Sequence, residues 1–201
     1  MSFDDYARNW DTDRRINRAR IIANEIEKVI QVNKELSAME FGCGTGLISF
    51  NLYDKLEKIT LIDTSKAMID ILNSKIERYK VKNMIAKCQD INDEEDRFDV
   101  IYNSMVLHHI NNTENIIERF HELLNNEGYL VIVDLNKEDG KFHKEYPDFN
   151  GHNGFEQEEL HNILKKVGFK NVDSRTIYYD TKIIDGESVD YSLFLIEARK
   201  F

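Results

Sequence analysis

The chain has 201 residues, a length that suits one domain. Hydrophobic residues make up 41% of it and charged residues 32%, enough to build a core beneath a polar surface. The net charge of -10 argues against a protein that holds nucleic acid through phosphate contacts, and two cysteines cannot form a disulfide framework. We therefore predict one cytoplasmic domain over residues 1–201, without a signal peptide or a membrane-spanning segment.

The N-terminal segment begins with aromatic and polar residues and continues as an amphipathic helix. Apolar residues recur at helical spacing from Ile16 to Ile30 and form one face. Four arginines fall mostly off that face: Arg14, Arg15, Arg18 and Arg20. We interpret them as a solvated basic surface paired with acidic neighbours rather than as a phosphate-binding stripe. Residues 1–33 are thus predicted to form an N-terminal helical cap.

The most informative stretch lies next along the chain, where an apolar run leads to Glu40 and glycines stand at positions 42, 44 and 46. Glycine lets the backbone turn sharply and lets a ligand approach closely, and a strand–loop–helix junction presents free backbone N–H groups. A dinucleotide fingerprint needs G-x-G-x-x-G, whose third glycine would fall on Leu47. No Lys-Ser or Lys-Thr follows, which excludes a P-loop. A short helix is predicted after the glycines, from Leu47 to Tyr53.

This stretch resembles the first motif of the class I S-adenosylmethionine (SAM)-dependent methyltransferases, in particular their small UbiE-like, type 11 and 12 group. The resemblance implies that SAM is the cofactor, with its methionine part against Glu40, Gly42, Cys43 and Gly44. It also implies that the N-terminal segment closes over the cofactor, which makes Tyr6 a candidate lid residue. Simple packing of Tyr6, and a glycine-rich turn without a ligand, stay open as alternatives.

An acidic residue follows each of the next two predicted strands. The apolar run Ile59–Ile62 ends at Asp63, and Met84–Gln89 ends at Asp90. A carboxylate at the tip of the second strand can accept hydrogen bonds from both hydroxyl groups of a ribose. We place Asp63 in that role, with the adjacent Thr64 as a further cofactor contact. Thr64 and Ser65 also supply a predicted N-cap for the next helix.

The adenine ring is assigned from the same resemblance. It implies that Asp90 binds the adenine amino group and that Ile91 packs on the ring. A carboxylate only accepts hydrogen bonds, which suits an exocyclic amine. The alternative for Asp90 is a helix N-cap, and the two roles can coexist. Met68, on the apolar face of the following helix, is either a further adenine contact or a core residue.

A fourth predicted strand, Phe98–Asn103, leads to the pair His108 and His109. The block resembles the fourth motif of the same family, which implies that the backbone around Asn103 lies beneath the sulfonium of SAM. A neutral imidazole could accept a proton from the methyl acceptor, so both histidines are candidates for catalysis. Adjacent residues of regular structure face different ways, and we expect only one to face the acceptor. A structural or positioning role for each is the alternative.

A long polar connection, from Asp134 to Gln157, follows a predicted strand at Tyr129–Val133. Loops of this length inside a compact domain are usually functional. Its candidates for substrate contact are His143, Tyr146, Phe149 and His152. The spacing of His143, His152 and His161 fits no zinc template, and no H-E-x-x-H motif occurs, so we predict no metal site.

The chain ends with a predicted helix, Leu160–Val167, and two strands, Val172–Tyr179 and Tyr191–Ala198, joined by a polar loop that contains Asp185 and Gly186. Two consecutive strands without a helix between them indicate an antiparallel hairpin, and the resembled family ends its seven-stranded sheet in this way. Strands that alternate with helices predict an α/β fold. We expect a Rossmann-like three-layer sandwich with a mostly parallel seven-stranded sheet, an antiparallel C-terminal hairpin strand, and the ligand at the carboxyl ends of the strands.

These features together predict a SAM-dependent methyltransferase (EC 2.1.1.-) that leaves S-adenosylhomocysteine as product. Net acidity and the absence of Asn-Pro-Pro-Tyr-like and Pro-Cys motifs favour a small-molecule acceptor over nucleic acid, while a protein acceptor stays open. One alternative is a non-catalytic SAM-binding or regulatory module with the same fold. Another is an NAD-dependent oxidoreductase, which Asp63 favours and Leu47 opposes. The acceptor and the oligomeric state cannot be read from the sequence.

Overall fold

A seven-stranded sheet forms the centre of the structure, a computed structural model that describes residues 3–146 and 148–201. Its strands are β1 Ser37–Phe41, β2 Lys58–Asp63, β3 Met84–Cys88, β4 Phe98–Ser104, β5 Leu124–Leu135, β6 Lys170–Ile184 and β7 Glu187–Arg199. Their order across the sheet is β3-β2-β1-β4-β5-β7-β6. Strands β1 to β5 are parallel, and β7 pairs antiparallel with both β5 and β6. The predicted fold class is confirmed.

The strand order reverses between β1 and β4. The chain moves outward from β1 through β2 to β3, and then returns to lay β4 on the other side of β1. In open α/β sheets such a switch point leaves a crevice at the carboxyl ends of the strands, where ligands bind. Phe41, the last residue of β1, is in register with Ile62 of β2 and Asn103 of β4. The glycine loop that follows β1 therefore lies at this crevice.

Helices cover both faces of the sheet. They are α1 Phe3–Tyr6, α2 Asp13–Ile30, α3 Lys66–Tyr79, α4 Thr113–Leu123 and α5 Gln157–Val167. Ile26 of α2 and Leu72 of α3 are buried in one apolar cluster, while Phe120 of α4 and Leu160 of α5 are buried in the other. The central strands contribute to both clusters, which explains why their sequences are continuous apolar runs. No described helix is both long enough and apolar enough to cross a membrane.

Side-chain caps fix where the helices begin. Ser65 accepts a hydrogen bond from the backbone N of Met68 at 3.2 Å, and so caps α3 as the sequence predicted. Asn112 caps α4 in the same way. The N-terminal cap contains helix α2 as predicted, although residues 1 and 2 lie outside the described ranges. That residues 1–201 form a single domain stays a prediction.

Two local predictions differ from the structure. The stretch from Leu47 to Tyr53, expected to be a short helix, contains a 3-10 turn at Ser49–Asn51 and another that begins at Tyr53. The Ser49 side chain turns inward to Glu40 and Tyr102, which ties this segment to the sheet. The polar loop expected around Asp185 is a two-residue turn, because β6 and β7 pair up to Ile184 and Glu187. Asp185 and Gly186 both have positive φ, as tight hairpin turns require.

Candidate active site

A cavity of about 820 Å³ lies at the crevice between the carboxyl ends of β1, β2 and β4. Cavities of this size hold cofactors and small substrates. Most residues that the sequence predicted for the site line its wall: Glu40, Gly42, Cys43, Gly44, Asp63, Thr64, Met68, Asp90, Ile91, His108 and His109. Tyr6 and Asn103 were predicted with them but do not line the cavity.

The glycine loop has a shape that other residues cannot adopt without strain. Gly42 has a φ of +66°, and a Cβ added to it would lie 2.4 Å from a Cγ of Val106. The backbone N–H groups of the loop are less available to a ligand than we expected. Those of Gly42 and Cys43 bond to the carbonyl oxygen of Ile62, and that of Gly44 bonds to Asp63 at 2.8 Å. The loop therefore offers a ligand close approach rather than these donors.

Asp63 is held at the end of β2 by the loop and by the start of α3. Its two carboxylate oxygens accept N–H groups from Gly44 and Ser65, each at 2.8 Å. Burial raises the pKa of Asp63, while these hydrogen bonds act in the opposite direction. Each oxygen keeps acceptor capacity, because an ionised carboxylate can accept about four hydrogen bonds. The predicted placement at the tip of β2, facing the crevice, is thus observed.

Glu40 lies deeper, with only 3% of its surface exposed. Its carboxyl group accepts a hydrogen bond from Ser49, whose hydroxyl oxygen lies 2.6 Å from that of Tyr102. Burial raises the pKa of Glu40 to about 8, with a smaller contribution from the charge on Asp63. At neutral pH the carboxyl group is therefore mostly protonated. A positive charge brought into the cavity would favour its ionised form.

The residues predicted around the adenine and beneath the sulfonium are in three different environments. Asp90 is exposed and accepts the backbone N–H of Asn92 at 2.9 Å, so its alternative as an N-cap is observed while it also lines the cavity. Ile91 and Met68 are buried and border the cavity. Asn103 is fully buried, and its side-chain amide has no hydrogen-bond partner among the described residues.

His108, which lines the cavity, forms a buried pair with Asp134. The Nδ1 of His108 lies 2.5 Å from a carboxylate oxygen of Asp134, and their side chains are 1% and 0% exposed. Asp134 also accepts the backbone N–H of Leu135 at 2.7 Å. Burial alone would raise the pKa of Asp134, but the charge on His108 and these hydrogen bonds lower it. Because Nδ1 faces the carboxylate, Nε2 is the ring nitrogen that remains for the cavity.

Both histidines of the pair line the cavity, which contradicts the expectation that only one would do so. Residues Leu107–His109 form a 3-10 turn rather than extended backbone, so the two rings lie side by side with centroids 4.1 Å apart. His143, from the long connection, joins them at 5.0 Å from His108 and 5.4 Å from His109. Its ring stacks on Phe149 at 3.8 Å.

Burial keeps two of these imidazoles neutral. It lowers the pKa of His109 to about 4 and that of His143 to about 3, and the charge on His108 acts in the same direction. His152 and Phe149, which the sequence also offered as substrate contacts, do not line the cavity, whereas His143 and Tyr146 do. His161 lies elsewhere and bonds to Ser174.

The interpretation of the basic helix face was wrong for two of its arginines. Arg15 and Arg18 line the cavity and are only partly exposed, whereas Arg14 also borders the cavity but is exposed and pairs with Asp180 at 2.7 Å. The acidic neighbours expected to pair with them bind other residues, since Asp11 pairs with Lys75 and Glu25 with Lys28 and Arg175. The reason is that α2 lies with this side toward the crevice, which its own periodicity could not show.

Several residues of this wall were missed by sequence reasoning. Lys182 and Tyr191 lie on β6 and β7, far away in sequence, and Asp134, the partner of His108 behind the wall, was taken only as the start of a loop. Tyr191 accepts hydrogen bonds from Arg14 at 3.1 Å and Arg18 at 3.3 Å. The one usable signal was an aspartate at the carboxyl-end side of a buried strand, the position where functional groups collect in such sheets.

Comparison with known proteins identifies the family. The sequence model of the methyltransferase-domain family matches residues 13–174. An uncharacterized methyltransferase of Schizosaccharomyces pombe is 28% identical over 155 residues, which cover 69% of this chain and 55% of the relative. The chain thus belongs to the methyltransferase-domain family, although it spans about half the length of the first curated relatives that it matches.

Solved structures agree on the fold. A SAM-dependent methyltransferase from Aquifex aeolicus superposes with a TM-score of 0.71 at 17% identity, with 98% of each chain covered. Phosphoethanolamine N-methyltransferase 2 from Haemonchus contortus, crystallised with S-adenosyl-L-methionine, gives 0.73 at 15% identity and covers all of this chain and 60% of that one. The predicted family is confirmed, and SAM is the cofactor to which family and fold point.

Proposed function

We propose that this chain transfers a methyl group from SAM to a small acidic molecule, and that both bind in the cavity described above. The observation that carries the proposal is that one cavity joins the glycine loop after β1 to the buried pair of His108 and Asp134. The first feature is suited to a cofactor and the second to proton transfer or the positioning of an acceptor. Cytoplasmic location belongs to the same proposal.

The cofactor end has groups that suit an adenosine carrying a positively charged amino acid. Glu40 would ionise beside an ammonium group, because a nearby positive charge lowers the pKa of a carboxyl group. Asp63 has lone pairs left for two ribose hydroxyls. We assign the adenine to Asp90 and Ile91 and the methionine part to the glycine loop with Cys43. Tyr6, which contacts Tyr146 edge-on at 6.3 Å, remains a proposed lid residue.

The acceptor end would act mainly by alignment. SAM supplies a methyl group already activated on a positively charged sulfur, so the chain has to place the acceptor in line and exclude water. An acceptor that carries a proton needs a group nearby that favours its deprotonated form. In the protein without a metal ion, His108 is placed for this, since Asp134 engages its Nδ1. His109, whose pKa burial lowers to about 4, is a weak base, and we assign it to positioning.

The charge of the cavity supports an acidic acceptor. Arg15 and Arg18 line it without an ion pair to any described carboxylate, in a chain whose net charge is -10. Burial lowers the pKa of Arg15, and the neighbouring charges of Arg18 and Arg14 lower it further. Uncompensated positive charge of this kind is stabilised by a bound anion. A carboxylate or phosphate on the acceptor would supply it.

Binding of the cofactor is the first test. In isothermal titration calorimetry, S-adenosylhomocysteine should bind the wild-type chain with micromolar affinity, and NADH should not compete. Asp63→Asn should weaken binding by roughly 10- to 100-fold, because one ribose acceptor is lost. Asp70→Asn is the matched control, since Asp70 is an exposed residue of α3 whose carboxylate pairs with Lys66. Equal affinity for both variants, or displacement by NADH, would contradict the assignment.

Turnover is the second test. A panel of carboxylate, phosphate and neutral acceptors should give S-adenosylhomocysteine formation with the anions only. Arg18→Gln should raise KM for the acceptor with little change in kcat, whereas His108→Asn should lower kcat by roughly 100-fold or more while affinity for S-adenosylhomocysteine stays intact. Binding of the cofactor without transfer to any acceptor would favour the non-catalytic module instead.

A further inference from the structure

We propose that His108, His109 and His143 bind a divalent transition-metal ion, with zinc as the best match, in the wall of the cavity. The three side chains can each place one ring nitrogen within 4.8 Å of the other two. In a tetrahedral zinc site with Zn–N bonds near 2.05 Å, ligand nitrogens lie about 3.3 Å apart. Small rotations of side chains would close the remaining gap. The sequence pattern concealed the group, because two ligands are adjacent and the third lies 34 residues later.

His108 already has the environment of a metal-binding histidine. Its Nδ1 is hydrogen-bonded to a buried carboxylate at 2.5 Å, and a second contact joins its backbone N to the same carboxylate at 3.3 Å. Histidine ligands typically donate their other N–H to a carboxylate, which fixes the tautomer and makes the free nitrogen a stronger ligand. Asp134 would have this supporting role, while Nε2 of His108 would bind the ion.

His143 supplies a second and independent observation. Only 6% of the surface of His143 is exposed, yet its Nδ1 has no hydrogen-bond partner among the described residues. A buried polar atom without a partner costs free energy and calls for a physical explanation. Stacking on Phe149 at 3.8 Å, with an angle of 7° between the rings, fixes the plane of the imidazole. A bound ion would give this oriented ring a partner.

The ligand set defines the kind of ion. Imidazole nitrogens suit zinc, copper, iron and nickel, whereas magnesium and calcium require oxygen ligands. Three protein ligands leave a fourth position open, as in catalytic rather than structural zinc sites. All three histidines line the cavity, so water or a donor atom of the acceptor would complete the coordination. With an ion on Nε2, His108 no longer takes a proton, and the ion would favour the deprotonated acceptor instead.

Metal binding can be measured without any turnover. The full chain, stripped with a chelator, is titrated with ZnCl2 by calorimetry and with CoCl2 by visible absorption, which reports the coordination of cobalt. We expect one ion per chain and a cobalt spectrum of a four- or five-coordinate nitrogen site. His109→Gln and His143→Gln should each weaken zinc binding by roughly 100-fold or more, beyond what loss of a supporting carboxylate causes. His161→Gln, remote from the cavity, should bind as the wild type does.

S-adenosylhomocysteine binding is measured on every variant, so that loss of zinc is read only in chains whose cofactor site is intact. A glutamine variant that loses zinc but keeps S-adenosylhomocysteine supports the site. Equal zinc affinity in all four proteins, or wild-type affinity weaker than roughly 100 μM, would overturn it. The zinc site and the proposed methyl transfer can be refuted independently, because zinc binding does not require methyl transfer and S-adenosylhomocysteine binding does not require zinc.

Discussion

Replacing His108 by alanine should destabilise the fold mainly because it leaves the carboxylate of Asp134 buried without its partner. Both side chains are almost fully inaccessible to solvent. Of the donors to this carboxylate, only the backbone N–H of Leu135 and, at 3.3 Å, that of residue 108 would remain. Breaking a buried pair from one side costs about 3–5 kcal/mol. We expect His108→Ala to lower the free energy of unfolding by about 4 kcal/mol at pH 7.

The cost should depend on pH in a direction that follows from Asp134. The pKa of Asp134 is lowered in the folded wild type. Its stabilising contribution is therefore present above the pKa that Asp134 has in the unfolded chain, and it is lost as the pH falls through the pKa of the folded state. Without His108, burial dominates and raises the folded pKa of Asp134. The folded variant then takes up a proton when the pH falls, which removes the buried charge. The difference in stability between wild type and variant should therefore be smaller at pH 5 than at pH 7.

Urea unfolding at both pH values would measure this, together with Asp134→Ala and the double variant. Since the double variant leaves no unpaired charge, the two single effects should exceed their combined effect by roughly 2–3 kcal/mol. His161→Ala, which removes a half-buried histidine bonded to Ser174, should cost only about 1 kcal/mol. A cost for His108→Ala below about 1.5 kcal/mol, or additive single effects, would refute the reasoning.

Three further predictions concern stability. Gly42→Ala should lower the free energy of unfolding by about 3 kcal/mol in urea, because a Cβ would lie 2.4 Å from a valine methyl carbon. Gly186→Ala, where φ is also positive but the space is open, should lower it by about 1 kcal/mol, and equal losses for the two variants would contradict this reasoning. The raised pKa of Glu40, about 8, means that stability should fall as the pH rises from 4.5 to 8, and Glu40→Gln should remove that slope in matched unfolding curves. His109 and His143, with lowered pKa values of about 4 and 3, should make stability fall as the pH drops below 6.5, and a double glutamine variant that keeps the wild-type slope would exclude them as the cause.

Much of the cofactor end could be predicted from the sequence because its signals are local. The glycine spacing, the acidic residues at the ends of Ile59–Ile62 and Met84–Gln89, and the caps of the helices are all short patterns. Each depends on the geometry of one strand and the turn after it. The structure accordingly places Glu40, Asp63 and Asp90 along one cavity wall, as the order of the strands requires.

The acceptor end depended on contacts between distant parts of the chain. Adjacent histidines were expected to diverge, but a 3-10 turn brings the rings of His108 and His109 together. No pattern in the sequence connects His108 with Asp134 or His143, which lie 26 and 35 residues further on. The periodicity of α2 also could not show what its arginines face, since a polar helix face has the same sequence pattern whether it faces solvent or a cavity.

The sequence by itself thus determined the class of fold and the family, because alternation of strands with helices and the glycine loop are encoded within short segments, while the place of the cofactor stays a prediction. Only the tertiary structure decided the chemistry of the cavity wall around His108. There β5 and the long connection after it bring Asp134 and His143 beside the histidine pair, and the antiparallel β7 brings Tyr191 to the same cavity. Packing of elements distant in sequence creates that wall. Burial there lowers the pKa values of His109 and His143, and it leaves Arg15 and Arg18 without an ion pair to a described carboxylate.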